Sequence, residues 1–405
     1  MDLRSRYPFW LVKNGIPATY PPLDRELETD VVVLGAGITG ALTAYELMRR
    51  EIDVVVLDKR DAAWGSTSAS TGLLQYEIDT DLHELTDLIG RERATRAYWL
   101  GVEAIEALAA IVHELGVDCH FRPRDSLYVA RRRQDEKQIR AEFEARRRAG
   151  FAVQMLERAT LIEQYGMNAR CAILSEIGAE VDPYLLTYHL LGRCLTRGVR
   201  IFDRTTMQRL IHHDGEVVVE TDRNYSIRAK KVIFATGYES QLYLKQDVGD
   251  LNSSFAVVTE PLAAQPLGDT TPPIDYLMWE AARPYLYVRN TVDGRLIIGG
   301  EDEPFRDPEK RDRLISKKSA RLLKRFQAFY PDHPLPEIAF SWAGTFGETK
   351  DGLAYIGETE EVPNAYWAMG YGGNGITWSM IASRILADLY QGVPNADAHL
   401  FRLDR

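Results

Sequence analysis

Gly35, Gly37 and Gly40 stand in the spacing G-x-G-x-x-G, and these are the first residues of the chain whose types and order imply chemistry. The first glycine permits a tight turn, the second lets backbone approach a pyrophosphate, and the third lets a helix pack closely on the preceding strand. Asp58 follows at the separation where a carboxylate accepts hydrogen bonds from ribose hydroxyls. A second group, Gly370, Gly372, Gly373 and Gly375, opens another helical pattern. The positive N-terminal end of such a helix suits negative charge developing on a bound ring. Together these positions imply a dinucleotide with a reactive ring at its far end.

The elements that must hold these glycines are legible around them. Residues 31–34 form an unbroken apolar run, as in a parallel strand covered on both faces. Val54–Leu57 is the next strand, so residues 30–60 read as strand, glycine turn, helix and strand. The segment from Gly65 to Gly72 is too small and polar for a core element and can wrap a ligand closely. Residues 81–116 return to helical periodicity with a stop at Gly116. Ser126–Ala130 suggests a strand, and residues 131–148 a charged helix. There Glu142 and Glu144 beside Arg146, Arg147 and Arg148 predict a solvated face. A helix opens at Pro183, and strands follow at residues 199–202, 217–220 and 230–235, the last closing on Thr236-Gly237. Residues 255–300 are rich in strand formers, and Tyr285, Tyr287 and Arg289 share one strand face. Residues 310–330 form an amphipathic helix, and a final strand at Ala365–Met369 leads into a helix over residues 376–390.

Whole-chain composition narrows the classes. With 405 residues the chain can bury a large core, and its net charge of −10 argues against nucleic acid or an anionic membrane as partner. No run is long and apolar enough for a membrane span. Cys119, Cys171 and Cys194 have no paired or metal-binding spacing, so reduced thiols and a cytoplasmic protein are expected. The eight histidines show no metal spacing and no metal is expected. No G-x-S-x-G or triad pattern supports hydrolysis. Residues 1–28 read as an irregular arm that Tyr7, Phe9 and Trp10 can pin to the body, without the apolar core of a signal peptide.

The motifs DVVVLGAGITG, GSTSASTG, VIFATG, WAGTFGETKDGLAYIG and AMGYGGNGI resemble those of the flavin-dependent amine and amino-acid oxidases, the family of D-amino acid oxidase, glycine oxidase and monomeric sarcosine oxidase. The resemblance runs over about residues 29–405. It implies an α/β fold, with a Rossmann-like FAD-binding domain built from non-contiguous segments and an α+β substrate domain whose large mixed or antiparallel sheet lies over the flavin. The expected division is an arm at 1–28, an FAD domain from 29–85, 150–240 and 340–405, and a substrate domain from 86–149 and 241–339. By position, the FAD contacts would fall on Gly35, Ala36, Gly37, Ile38, Gly40, Asp58 and Lys59. They would continue through Ser66, Thr67, Thr71, Gly72 and Leu73 to Met207, Thr236 and Gly237, and finish at Gly344, Gly370, Gly372, Gly375, Ile376 and Thr377.

The resemblance also implies a reaction, oxidation of the C–N bond of a primary or secondary amine or N-substituted amino acid by hydride transfer to flavin, with oxygen or another electron acceptor as partner. Glycine oxidase anchors a substrate carboxylate with two arginines, and Phe346 and Gly373 occupy those positions here. A small α-amino acid held by its carboxylate would therefore lose a charge-assisted partner. No cysteine follows Cys194, which excludes the cysteinyl flavin linkage of sarcosine oxidase and leaves a histidyl one open. Lys350 offers positive charge near the flavin or oxygen, Tyr287 and Tyr285 a pocket wall, and Tyr371 and Phe346 a face over the ring. Glu260 could attract an amine cation, and Arg289 reads as a surface ion pair. Two other readings stay open, a flavin dehydrogenase of a 2-hydroxy acid or alcohol and a non-catalytic flavin-binding subunit of a larger complex.

Overall fold

The computed structural model describes residues 3–5, 7–246, 248–262 and 273–405. Its first layer is a parallel sheet built outward from Leu27–Leu34. That strand pairs with Val54–Leu57 on one side and Ser226–Phe234 on the other, and Arg200–Phe202 and Ala365–Met369 extend the two flanks. Val31, Val32 and Val33 are completely buried. Alternate side chains explain this: Val31 and Val33 pack among the helices Ile38–Arg49, Pro183–Thr196 and Gly375–Gln391, whereas Val32 and Leu34 pack against Val217 and Val219 of an antiparallel hairpin.

A second sheet of eight strands runs in the order Ile338–Glu348, Asp250–Thr259, Leu296–Pro304, Leu286–Asn290, Leu277–Glu280, Ser126–Ala130, Cys171–Ser175 and Val153–Glu157. Among its pairs only Leu277–Glu280 with Ser126–Ala130 is parallel. Its two faces separate cleanly. Ile298, Val257 and Phe255 pack on the helix Pro308–Phe329, while Ile297, Ala256 and Trp342 join the core of the first layer.

These pairings cross the expected domain boundaries. Val153–Glu157, Cys171–Ser175 and Ile338–Glu348 lie in or across segments assigned to the FAD domain, yet they are strands of the second sheet. Conversely, Arg91–Leu115, assigned to the substrate domain, packs on Gly375–Gln391 and Pro183–Thr196. Periodicity tells strand from helix, but the partner of each strand is set by contacts distant in sequence. The helical stretch at 81–116 is divided at Gly90 (φ 88°) into Leu82–Ile89 and Arg91–Leu115.

The charged helix, Glu136–Arg148, corrects a second expectation. Glu142 and Arg146 are fully buried rather than solvated. Arg146 pairs with Glu142 at 2.7 Å and Glu77 at 3.2 Å, and the rings of Tyr76, Tyr98 and Tyr128 surround its guanidinium. Two carboxylates and three aromatic faces offset the desolvation of one cation.

Candidate active site

The parallel strand Leu27–Leu34 ends at Gly35, whose φ of 107° favours glycine. A Cβ there would overlap the Ala235 carbonyl, and one on Gly40 would overlap the Gly35 carbonyl. Strand end, helix start and the turn after Ser226–Phe234 thus meet backbone to backbone. This contact aims the N-terminus of Ile38–Arg49 along a cleft, where Thr67 Oγ1 accepts the Ile38 N–H at 3.0 Å.

Asp58, at the end of Val54–Leu57, accepts the Ala36 N–H at 2.7 Å and the Arg60 N–H at 2.8 Å. Burial pushes its carboxyl up to about 6 against the pull of those two donors. Lys59 and Arg60 reach Glu239 at 2.8 and 3.0 Å. Burial would raise Glu239, but hydrogen bonds from Arg60 and Lys59 prevail and hold it down to about 2.

The segment after Gly65 makes one helical turn, Ser66–Ala69, and passes through Gly72 (φ 71°) into Leu73–Gln75. Three side chains from elsewhere fix its carbonyls: Trp342 Nε1 donates to Ala69 at 2.9 Å, Trp10 Nε1 to Ser70 at 2.7 Å and Arg289 Nε to Thr71 at 2.7 Å. Arg289 is accordingly not a surface residue. It is buried, pairs with Glu180 at 3.3 Å and also donates to Val181 O. The arm does more than pin itself by Phe9 and Trp10. Leu3 and Ser5 continue the second sheet by bonding to Thr345 and Ala343.

At the opposite end the second sheet forms a roof. Trp279 stacks on Tyr128 with ring centroids 3.8 Å apart, and the Tyr287 ring lies across Gly299, where a Cβ would overlap it. Tyr285 donates to Asp79 Oδ1 at 3.0 Å, and the Gly373 N–H donates to Asp79 Oδ2 at 2.7 Å. Burial pushes Tyr287 up to about 12 and Tyr285 and Tyr371 higher, so all three phenols keep their protons at neutral pH. Burial also pushes Asp302 up to about 6, with Ser254 opposing and Asp79 adding to the rise. Burial, then the Asp79 and Asp302 charges, push Glu348 up to about 7 against Arg283.

One continuous cleft connects the two ends. Of the expected cofactor residues, all except Ala36, Gly40, Gly370 and Thr377 line it. Ala36 holds Asp58, Gly40 lies under Gly35, and Thr377 donates its hydroxyl to Asn374 O at 2.9 Å. Gly370 sits beside Thr349 with φ 73°. Tyr287, Tyr371 and Phe346 line the cleft, but Lys350 does not: it is exposed in a turn. Glu260 also lies outside, paired with Arg295 at 3.1 Å. Sequence reasoning did not single out Asp79, Tyr238, Ser254 and Trp279, which also line the cleft. Nothing local marks them, since each comes from a different strand or loop.

A dinucleotide carrying a planar ring fits these residues. Small side chains and backbone amides line one end, two helix N-termini open onto the cleft, and Ser66 Oγ is buried there without a hydrogen-bond partner. Among the described residues, Asp81, His83 and Glu142 alone approach a metal-binding arrangement. Glu142, however, already accepts from the Leu82 and His83 amides and from Arg146, which makes it a helix cap and ion-pair partner.

Comparison with known proteins agrees with this geometry. The family model described as FAD dependent oxidoreductase (DAO) matches residues 30–389. Gamma-glutamylputrescine oxidoreductase of Escherichia coli is 26% identical over 384 residues, spanning 93% of this chain and 86% of that protein. Glycine oxidase of Geobacillus kaustophilus is 26% identical over 384 residues, spanning 89% and 93%. The crystal structure of that glycine oxidase superposes with a TM-score of 0.77 at 21% identity, covering 94% of this chain and 99% of the other. L-proline dehydrogenase from P. horikoshii gives 0.77 at 19% identity, covering 93% and 97%.

Proposed function

The chain belongs to the DAO family of FAD-dependent oxidoreductases, and from that membership we propose that it oxidises the C–N bond of a primary or secondary amine. The observation that carries this reading is the single cleft joining a dinucleotide cradle to an aromatic roof beside Asp79. Bound FAD would supply the two-electron oxidation by accepting a hydride. Gly35, Gly37, Ile38 and Asp58 would hold its adenosine and pyrophosphate half, and Thr71, Gly72 and Gly372 to Ile376 its ring.

The protein's own residues do the remainder. Trp279, Tyr285, Tyr287 and Phe346 enclose the substrate carbon and exclude water. The reacting nitrogen must shed its proton to water and enter the cleft with its lone pair free. The carbon beside nitrogen then loses a hydride, R–CH2–NH2 becoming R–CH=NH2+. Water converts this cation to an aldehyde and an ammonium ion, and the electrons pass to oxygen or another acceptor. No cysteine or histidine occurs among the lining residues, which favours FAD held without a covalent bond. Three free, buried cysteines accord with a reducing, cytoplasmic setting.

Purified protein should be yellow, release its flavin on acid precipitation, and bleach anaerobically when mixed with amines. A colourless protein that FAD cannot reconstitute, or bleaching by 2-hydroxy acids alone, would overturn the reading.

A further inference from the structure

We propose that the N-terminal arm is a cofactor clasp: residues 3–5 and Trp10 close one side of the flavin cradle and slow the release of bound FAD. The proposal rests on the family's FAD dependence and not on which substrate is oxidised.

Two walls of the cleft that lie far apart in sequence meet at the arm. One holds Gly65, Ser66, Thr67 and Thr71, and the other Gly344 and Thr345. The second wall belongs to Ile338–Glu348, the outermost strand of its sheet, so one row of its backbone groups has no strand beside it. The arm supplies the missing partner. Ser5 N–H donates to Ala343 O at 3.0 Å, Ser5 Oγ accepts the Ala343 N–H at 2.8 Å, and Leu3 O accepts the Thr345 N–H at 2.9 Å. Between them Arg4 turns to the first wall, where its Nε donates to Trp64 O at 2.9 Å and its guanidinium covers the Trp64 ring. Leu3 is buried and lines the cleft, 3.6 Å from the place that a Gly65 Cβ would take.

Trp10 backs the first wall. Its indole N–H ties the Ser70 carbonyl at 2.7 Å, and its ring lies 5.4 Å from the Arg289 guanidinium that holds the Thr71 carbonyl. The root of the arm is anchored elsewhere, by Asn14 Nδ2 on Asp182 at 2.8 Å and by the Tyr184 hydroxyl on Gly15 O at 3.0 Å. A strap fixed at its root loses little further chain entropy when its tip docks. What residues 3–5 add is a backbone seam that joins the two walls. Parting these walls to release a cofactor breaks the seam, which puts the arm's contribution in the dissociation rate.

The test follows FAD dissociation from diluted holoenzyme by the recovery of free-flavin fluorescence. Three variants open the clasp by separate routes. One deletes residues 1–5; Ser5→Pro removes the N–H and the hydroxyl that hold Ala343; and Trp10→Phe keeps a ring but not the donor. Dissociation should accelerate by about tenfold or more in the deletion and in Ser5→Pro, and by about fivefold in Trp10→Phe, which loses a single hydrogen bond. Leu322→Ala is the control for destabilisation alone, since Leu322 is buried against the opposite face of the second sheet and does not line the cleft. It should lower the melting temperature and leave the dissociation rate within about twofold. An unchanged rate in the deletion and in Ser5→Pro overturns the clasp, and so does an equal acceleration in Leu322→Ala. A full-length protein that takes up no FAD overturns the flavin reading instead.

Discussion

At the Gly35 end of the cleft the surface is largely backbone and hydroxyl, with Asp58 at its edge; at the Tyr285 end it is aromatic rings and Asp79. The first is assembled from stretches short in sequence, each folding against its neighbour. The second is assembled from single side chains delivered by strands and loops far apart, Asp79, Ser254, Trp279, Tyr285 and Phe346. A largely backbone-built end offers few side chains to lose and breaks most readily when an added atom forces the chain apart. A side-chain-built end can be altered one group at a time while the fold and cofactor remain. Specificity is therefore free to vary at the roof, and the cradle is not.

The sharpest test of that contrast is Gly40→Val. Its Cβ would meet the Gly35 carbonyl, which is itself fixed by its neighbours, so overpacking should cost at least about 3 kcal/mol. The expected protein lacks flavin after gel filtration and melts early; a yellow protein with normal flavin content would break the contrast. Arg146→Met comes next. It strands Glu142 and Glu77 without their cation, and losing one partner of such a buried cluster costs about 3–5 kcal/mol. Because Glu77 lies two residues from Asp79, thermal unfolding should fall along with amine turnover. An unchanged melting temperature would mean that the cluster is not ionised. Gly299→Val moves only the roof. Its Cβ would displace the Tyr287 ring, so flavin content should persist while kcat/KM falls by about 10²-fold. Parallel loss of flavin would show that the two ends are not separable.

The same asymmetry decided what the sequence made legible. Val54–Leu57 and Ala365–Met369 coincide with their strands, and the spacing of Gly35, Gly37 and Gly40 sufficed to anticipate the crossover, because glycine type and backbone geometry are linked locally. Glu142 and Arg146 read as solvated because charge runs usually are, and only the folded chain reveals three tyrosines and Glu77 around them. Arg289 misled for the same reason. Asp79 and Asp302 gave no signal at all: an isolated aspartate in a loop or at a strand end acquires meaning only from what faces it.

A milder perturbation than mutation is pH. Asp302 near 6 and Glu348 near 7 are neutral in acid and charged in base. The charged groups acting on them are Asp79, Asp250, Arg283 and Lys318. A carboxyl whose native pKa is raised costs stability when it ionises, so the parent protein should lose melting temperature relative to Asp302→Asn as pH rises from about 5 to 8. A difference that does not change with pH would mean that Asp302 does not titrate in this range.

The smallest expected effect is that of Lys350→Ala. The T-K-D-G turn made this lysine a candidate for charge near the flavin, but it is exposed and does not line the cleft. The turn is held by its neighbours: Thr349 Oγ1 donates to Leu353 O at 2.8 Å, and Asp351 takes Arg405 at 2.8 Å. Neither contact uses the lysine side chain. An exposed residue away from caps, ion pairs and strain changes stability by no more than about 0.5 kcal/mol, and kcat/KM should stay within about twofold, since a twofold change is only a fraction of one such step. If the cleft closes on substrate and brings this turn inward, Lys350→Ala would instead slow flavin reduction or reoxidation, which stopped-flow absorbance would resolve. That result would make the turn at 349–353 a third region of the active site, one that neither backbone nor roof geometry reveals.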